Sequence, residues 1–270
     1  MKKTILLTGA TDGIGLETAR TLAPGGHQLL LHGRNPDKLA TVVAEVAALP
    51  GAGPVESYVA DLSRMEDVDA MIKTVADKHD RLDVLINNAG VLKAPTTTAE
   101  NGVDLRFMVN TLAPYALTRG LLGLMTDGGR VINVSSAAQA PVDTEAMAGR
   151  GRLSDMDAYA QSKLAITMWL RHLAEELGAA GPVIVSVNPA SMLGTKMVKD
   201  GFGVAGNDIA IGADILVRAS LSDEFGDASG KYYDNDAKRF APPHADALDA
   251  GKRAAVVAVI EALVAAARTA

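Results

Sequence analysis

Apolar residues fall along this chain in short unbroken runs, separated by longer stretches in which they recur every three or four positions. The runs Lys3–Thr8, Gln28–His32, Val55–Val59, Val84–Asn87, Arg130–Ser135 and Val183–Asn188 read as strands. The stretches between them predict helices over Gly13–Leu22, Asp37–Leu49, Met65–His79, Asn101–Met125 and Asp157–Leu177, with a further one over Asn207–Ser220. Gly230-Lys231-Tyr232-Tyr233, bounded by Ser229 and Asp234, predicts a seventh strand. Strands alternating with helices imply βαβ units. Near-continuous apolar strands such as Ile5-Leu6-Leu7 and Leu29-Leu30-Leu31 suit a sheet buried on both faces. The predicted class is therefore α/β: a doubly wound, mostly parallel sheet of about seven strands with helices on both faces.

No repeat, low-complexity tract or linker divides the chain, so residues 1–270 are expected to form one domain. Ala137–Met156 and Ala190–Gly206 lack a periodic pattern. Both follow strand ends, where an open α/β sheet binds its ligands, so both should flank a site.

Composition narrows the function. The chain has 270 residues, 48% hydrophobic and 21% charged, enough apolar material for a large core. Its net charge of −6, with no Lys/Arg cluster, gives no electrostatic support to nucleic-acid or acidic-membrane binding. With no cysteine, disulfides, thiolate catalysis and cysteine-ligated metals are excluded, and a reducing, cytoplasmic setting is expected. The five histidines, His27, His32, His79, His172 and His244, show no ligand-like spacing, so no metal site is expected. The opening Ile5-Leu6-Leu7 run is too short for a signal peptide, because Thr8 and Gly9 end it. The apolar stretch Ala254–Ala267, broken by Glu261, suits a terminal helix packed on the body or on a second subunit better than a membrane span.

Candidate chemistry begins where the first strand meets the first helix. In Thr8-Gly9-Ala10-Thr11-Asp12-Gly13-Ile14-Gly15, Gly9 permits the tight turn, Gly13 lets the backbone approach a pyrophosphate and Gly15 allows close packing. The helix N-terminus adds free N–H groups and a positive dipole end. The pattern predicts a Rossmann-type dinucleotide cradle, with Gly9, Thr11, Asp12, Gly13, Ile14 and Gly15 as cofactor candidates. The second strand ends in His32-Gly33-Arg34, with no carboxylate for a ribose 2′-OH. Arg34 suits a 2′-phosphate instead, which favours NADP(H) over NAD(H).

Tyr159 and Lys163 lie one turn apart on a predicted helix. A cation beside a phenol favours the phenolate, so Lys163 is expected to pull the Tyr159 pKa down from about 10. Such a group can exchange a proton with a carbonyl or alcohol oxygen.

Together these residues resemble the short-chain dehydrogenase/reductase family. Gly9, Gly13 and Gly15 match its cofactor loop. Asp61-Leu62 resembles the pair that contacts the adenine, and Asn87-Asn88-Ala89-Gly90 its Asn-Asn-Ala-Gly element. Asn110 stands where the family has a helix asparagine, and Ser135-Ser136 precede the Tyr159/Lys163 pair. Asn133-Val134-Ser135-Ser136, Ser162-Lys163-Leu164-Ala165 and Gly230-Lys231-Tyr232-Tyr233 look most like the retinol-dehydrogenase-like branch. The resemblance implies Asn110, Ser136, Tyr159 and Lys163 as the catalytic set, with Asn110 positioning a water that links Lys163 to solvent. It implies Asp61, Leu62, Asn88, Ala89, Gly90, Tyr159, Lys163, Pro189 and Thr195 as further cofactor contacts. On a pleated strand Ser135 and Ser136 would face opposite ways, so at most one should reach the substrate, and the family's second serine is the catalytic one. One departure stands out: Asn188-Pro189-Ala190 replaces the usual Pro-Gly, and a positive φ at Ala190 would be costly.

The expected activity is NADP(H)-dependent interconversion of a carbonyl and an alcohol. Glycines 194, 201, 203 and 206 punctuate Met192, Leu193, Met197, Val198, Phe202 and Val204, which suggests a lid over about 190–206 and a small, apolar substrate. Two other readings stand beside it: an alcohol dehydrogenase running toward oxidation, and a non-catalytic NADP(H)-sensing protein on the same fold. Helices Asn101–Met125 and Asp157–Leu177 are the family's usual subunit faces, so a homo-oligomer is one outcome; a terminal helix covering one of them is the other.

Overall fold

The computed structural model describes residues 1–269, with the side chains of Thr126 and Asp127 and the last predicted domain residue, Ala270, outside the described residues. The strands are β1 (Thr4–Leu7), β2 (Gln28–Gly33), β3 (Val55–Val59), β4 (Leu82–Asn87), β5 (Met125–Val134), β6 (Val183–Asn188), β7 (Tyr232–Asp234) and β8 (Arg239–Ala241). They form one eight-stranded sheet in the order β3-β2-β1-β4-β5-β6-β7-β8. Every pair is parallel except β7–β8. Order reverses between β1 and β4, the switch point at which such sheets open a crevice for ligands.

Alternation along the strands divides the core in two. Leu6, Leu30, Leu85, Val131 and Ile184 face α3 (Met65–Lys78), α5 (Ala113–Leu121), α7 (Asp155–Leu177) and α11 (Ala250–Ala267). Ile5, Leu7, Leu29, Leu31, Ile86, Ile132 and Val185 face α1 (Gly13–Leu22), α2 (Pro36–Ala47) and α9 (Ala210–Leu221). Strands with apolar residues on both faces are thus covered on both, as the unbroken apolar runs imply.

The predicted helix over Asn101–Met125 is broken up. It comprises α4 (Leu105–Phe107), a π turn over Met108–Leu112 and α5. The Asp104 carboxylate caps Arg106 N–H, so the helix starts there rather than at Asn101. Pro114 lacks an N–H and crowds the carbonyl four residues back, and the wider π turn lies just before it. Buried Arg106 donates to Asp104 at 2.7 Å and to Asp155 at 2.9 Å, tying α4 to the start of α7. Ser154 caps α7, which begins two residues before the predicted Asp157.

Strand β8 has only three residues, too few to show a period, and was not expected. Short helices α6 (Thr144–Met147) and α8 (Lys196–Phe202) sit inside the aperiodic stretches, and α10 (Ala245–Leu248) directly precedes α11. Helix α11 lies along α7. Tyr115 Oη donates to Glu261 at 2.7 Å, and buried Arg253 donates to Ala247 O and to Glu175. Among the described residues, no helix is long and apolar enough to cross a membrane.

Candidate active site

The glycine turn is built from both sides of the switch point. Gly9 and Gly13 hold φ of +67° and +54°, which an L side chain rarely adopts. Asn88 Nδ2 donates to Thr8 O at 2.8 Å and to Gly9 O at 3.1 Å, and Ala89 N–H donates to Thr8 Oγ1 at 3.1 Å. A Cβ on Gly15 would lie 2.5 Å from Asn88 Nδ2, so the close approach of α1 to β4 requires glycine. Asp12 caps α1 by accepting from Gly13 N–H at 2.7 Å. Ile14 and Gly15 N–H lie in the same first turn and have no intrahelical acceptor.

Thr11 packs against Gly33, at the end of β2. Arg34 is exposed beyond it, with no ion pair among the described residues. Asp61 accepts from Ser63 N–H and Oγ, and the Leu62 side chain is buried in the core. A backbone cradle at a helix N-terminus, a free cation one strand away and a carboxylate at the next strand end fit a dinucleotide.

The catalytic candidates converge at the ends of β4 and β5. A Cβ at Gly90 would lie 3.4 Å from Asn110 Oδ1 and 3.5 Å from Lys163 Nζ, so Gly90 roofs that corner. Asn110, in the middle of the π turn, accepts from Val91 N–H at 2.8 Å and donates to Val91 O at 3.0 Å and Ser162 Oγ at 2.9 Å. Its whole amide is engaged. Lys163 is 3% exposed and donates to Val134 O at 2.7 Å. Ser136 and Tyr159 are joined by a side-chain hydrogen bond. Ser135 points the other way, donating to Lys163 O at 3.1 Å and sharing a proton with Thr167 Oγ1 at 2.8 Å.

The electrostatics differ from the sequence expectation. Burial pushes the Tyr159 phenol up, with the Ser136 hydrogen bond working against it. Lys163 Nζ lies 5.6 Å from the Tyr159 ring centroid, and burial lowers its own pKa to about 8. Desolvation dominates both groups, and the lysine is turned to Val134 O rather than to the phenol.

The stretch after β6 reaches back to the glycine turn. Thr195 caps α8 and sits against Gly13, its Cγ2 3.3 Å from where a Cβ there would lie. Pro189 O accepts from Asn235 Nδ2 at 3.0 Å. Ala190 takes a φ of 110°, the conformation that its replacement of glycine makes costly.

Three supporting residues escaped the sequence reading. Buried His32 accepts from Gly9 N–H at Nδ1 (3.1 Å), so Nε2 carries the proton donated to Ala60 O at 3.0 Å. Burial lowers its pKa, which keeps this tautomer neutral. Tyr232 Oη and Gln139 Nε2 both donate to the Ser136 carbonyl, at 3.1 and 3.0 Å. His32 stands at a strand end and Tyr232 in a flagged motif, but neither partner is near in sequence.

The glycine turn yields one prediction about folding. Gly15→Ala should cost about 1–3 kcal/mol, the usual scale of overpacking, because Asn88 and the Gly9 carbonyl must both move. Urea denaturation checks this, and an unchanged midpoint would contradict the packing.

Comparison with known proteins follows the same lines. The short chain dehydrogenase family profile matches residues 3–202. Human (Homo sapiens) retinol dehydrogenase 13 is 28% identical over 270 aligned residues, covering 93% of this chain and 82% of that protein. A Streptomyces sp. (strain C5) protein with the provisional name daunorubicin C-13 ketoreductase is 32% identical, covering 92% of this chain and 88% of its own. Among solved structures, an uncharacterised protein from Mycobacterium paratuberculosis superposes with a TM-score of 0.79 at 30% identity, covering 97% of this chain and 93% of that one. A short chain dehydrogenase from Burkholderia cenocepacia, in complex with NADP, superposes with a TM-score of 0.70 at 25% identity, covering 86% and 95%. The chain belongs to the short-chain dehydrogenase/reductase family, in its retinol-dehydrogenase-like branch, and is an oxidoreductase of that family.

Proposed function

We propose that this protein interconverts a carbonyl and an alcohol with NADP(H), residues 1–270 acting as one catalytic domain and about 190–206 as its lid. The observation that carries the reading is the Ser136–Tyr159 hydrogen bond set beside buried Lys163. When bound, the nicotinamide supplies or accepts the hydride. Ser136 donates to the substrate oxygen and polarises it. Tyr159, kept protonated by burial, gives its proton as charge develops on that oxygen. Lys163 would hold the ribose hydroxyls of the bound cofactor, and its charge there would lower Tyr159. The side chain of Asn110 is committed to Val91 and Ser162, so a water relay at this corner would use the main chain of the π turn.

Ile14 and Gly15 N–H would hold the phosphates of the cofactor, and Arg34 its 2′-phosphate. The NADP in the Burkholderia neighbour and the ketoreductase name of the Streptomyces relative support this choice of cofactor and reaction class. The lid exposes Met192, Phe202 and Val204 among the polar Ser191, Lys196, Lys199 and Asp200, and these three side chains favour an apolar substrate. Lys93 Nζ donates to Asp200 O at 3.2 Å and Leu92 abuts Gly201, so the lid rests on the loop after β4.

Loss of NADPH absorbance against small, aromatic and long-chain aldehydes and ketones should reveal turnover. Tyr159→Phe should bind NADPH normally and lose about 10²- to 10⁴-fold in kcat, the range of general acid catalysis. NADPH binding without turnover across that panel would favour the sensing protein instead. Arg34→Leu should weaken NADPH by roughly tenfold and leave NADH nearly unchanged, since a charge-assisted bond contributes about 1.5–3 kcal/mol; equal losses would remove the 2′-phosphate role. Lys163 titrates near 8 and is cationic below that, so kcat/KM for reduction should fall as pH rises through about 8. A profile flat to about pH 10 would show that its charge is not needed.

A further inference from the structure

The segment 188–195 is strained in two places and fastened in several. Ala190 has φ 110° and Met192 φ 55°, two side-chain-bearing residues in the half of the map that favours glycine. Such strain persists only where the surroundings over-determine the backbone. Here the surroundings are three consecutive residues beyond β6, at the end of β7. Asn235 Nδ2 donates to Pro189 O at 3.0 Å and to Ile211 O at 3.3 Å, bridging the strained segment to α9. Asp236 Oδ1 accepts from Ser191 N–H at 2.8 Å, and Oδ2 accepts from Ser191 Oγ at 2.6 Å and Asn188 Nδ2 at 3.0 Å. Asp234 Oδ1 takes the same Asn188 Nδ2 at 2.9 Å and Asp236 N–H at 3.1 Å. The fastened residues thus flank Ala190 on both sides.

What the fastening holds in place is the seat on the glycine turn. Three residues past Ala190, Leu193 Cδ1 lies 2.6 Å from where a Cβ on Gly212 would be, with Ile14 Cδ1 at 3.3 Å from the same point. Thr195 then rests on Gly13. Asn207 closes the base of the excursion, donating N–H to Met192 O at 2.6 Å and accepting from Gly194 N–H at 2.7 Å. A relaxed Ala190 would redirect every residue from Ser191 to Thr195, because a change of φ rotates the chain beyond it. Burial works to raise the Asp236 carboxyl, but the Ser191 and Asn188 donors hold it below its usual range, so it stays an acceptor.

We propose that the Asp234-Asn235-Asp236 turn is a positioning brace: it offsets the backbone strain at Ala190, keeps Leu193 against Gly212 and Thr195 against Gly13 of the glycine turn, and so sets affinity for the nicotinamide cofactor. The last clause rests on the NADP(H) reading; the brace itself does not. No residue of the turn touches the reacting groups, and the device replaces a glycine by geometry imposed from outside.

The test is a rescue. Asp236→Asn keeps the size of the side chain but turns an amide toward at least one of its three donors, and Asn235→Ala removes the other arm. In nucleotide-free protein, each should speed amide hydrogen exchange at Gly194 and Asn207 by about tenfold or more, while strand amides of β4 and β5 stay protected. Each should also weaken NADPH binding by roughly tenfold, with KM for NADPH rising more than kcat falls. Ala190→Gly relieves the strain, so Ala190→Gly in the Asp236→Asn background should recover most of both losses. Wild-type exchange in both brace variants, or a double variant no better than Asp236→Asn alone, would overturn the proposal. Failure of the unaltered protein to bind NADPH or NADH would count against the cofactor reading, whereas the exchange comparison would still decide the brace.

Discussion

The hydrogen bond from Lys163 Nζ to the Val134 carbonyl is the point on which the site turns. It fastens α7 to the end of β5, and the neighbouring Ser135 Oγ–Lys163 O bond closes the same seam from the strand side. Once α7 is set in this register, Tyr159 falls one turn earlier and meets Ser136, the next residue after the serine that is used up in the seam. The two serines divide the work: Ser135 joins helix to strand, and Ser136 is left to face the crevice. Burying an ammonium for this purpose lowers its pKa, and the π turn at Asn110 packs against the same corner by bonding Val91 and Ser162.

The other half of the site depends on strand ends being tied to one another. His32 connects β2 to the glycine turn and to the end of β3, and Asn88 connects β4 to the same turn. Because these ties are backbone carbonyls and N–H groups held by buried side chains, the cradle is formed by the fold itself. On the far side, Tyr232 holds the Ser136 carbonyl while the residues just after it hold Pro189 and Ser191. Strand β7 and the turn after it therefore fix a catalytic candidate and the segment 189–191 together. Gly230-Lys231-Tyr232-Tyr233, a mark of the branch in sequence, has this placement as its physical content.

Much of this was legible in the sequence because periodicity and placement are local. Buried strands announce themselves by unbroken apolar runs and Tyr159 with Lys163 by helical spacing, whereas Ser136 and Asn110 were singled out by the family resemblance. The helix over Asn101–Met125 was misread in its first turn because Asp104 and the Thr98 bridge hold residues before Leu105 outside it. The π turn left no trace in apolar spacing. His32, Tyr232, Asn235 and Asp236 were missed as supports since their partners lie far along the chain, and an isolated polar residue gives no hint of which carbonyl it will meet. The ionisation of Tyr159 was misjudged for a related reason: helical spacing fixes where Lys163 starts, whereas its buried end is drawn to Val134 O. Ala190 was legible as a departure, and only the structure shows what stands in for the missing glycine.

The central claim is that these groups serve direct hydride transfer between NADP(H) and a carbonyl carbon. The measurement that tests it most directly uses NADPH deuterated at the transferable ring position, with mass spectrometry of any alcohol formed from an apolar aldehyde. The account predicts deuterium at the carbinol carbon of the product, and no labelled product from Tyr159→Phe above a trace. An alcohol formed without deuterium, or NADPH bound and never consumed, would contradict it.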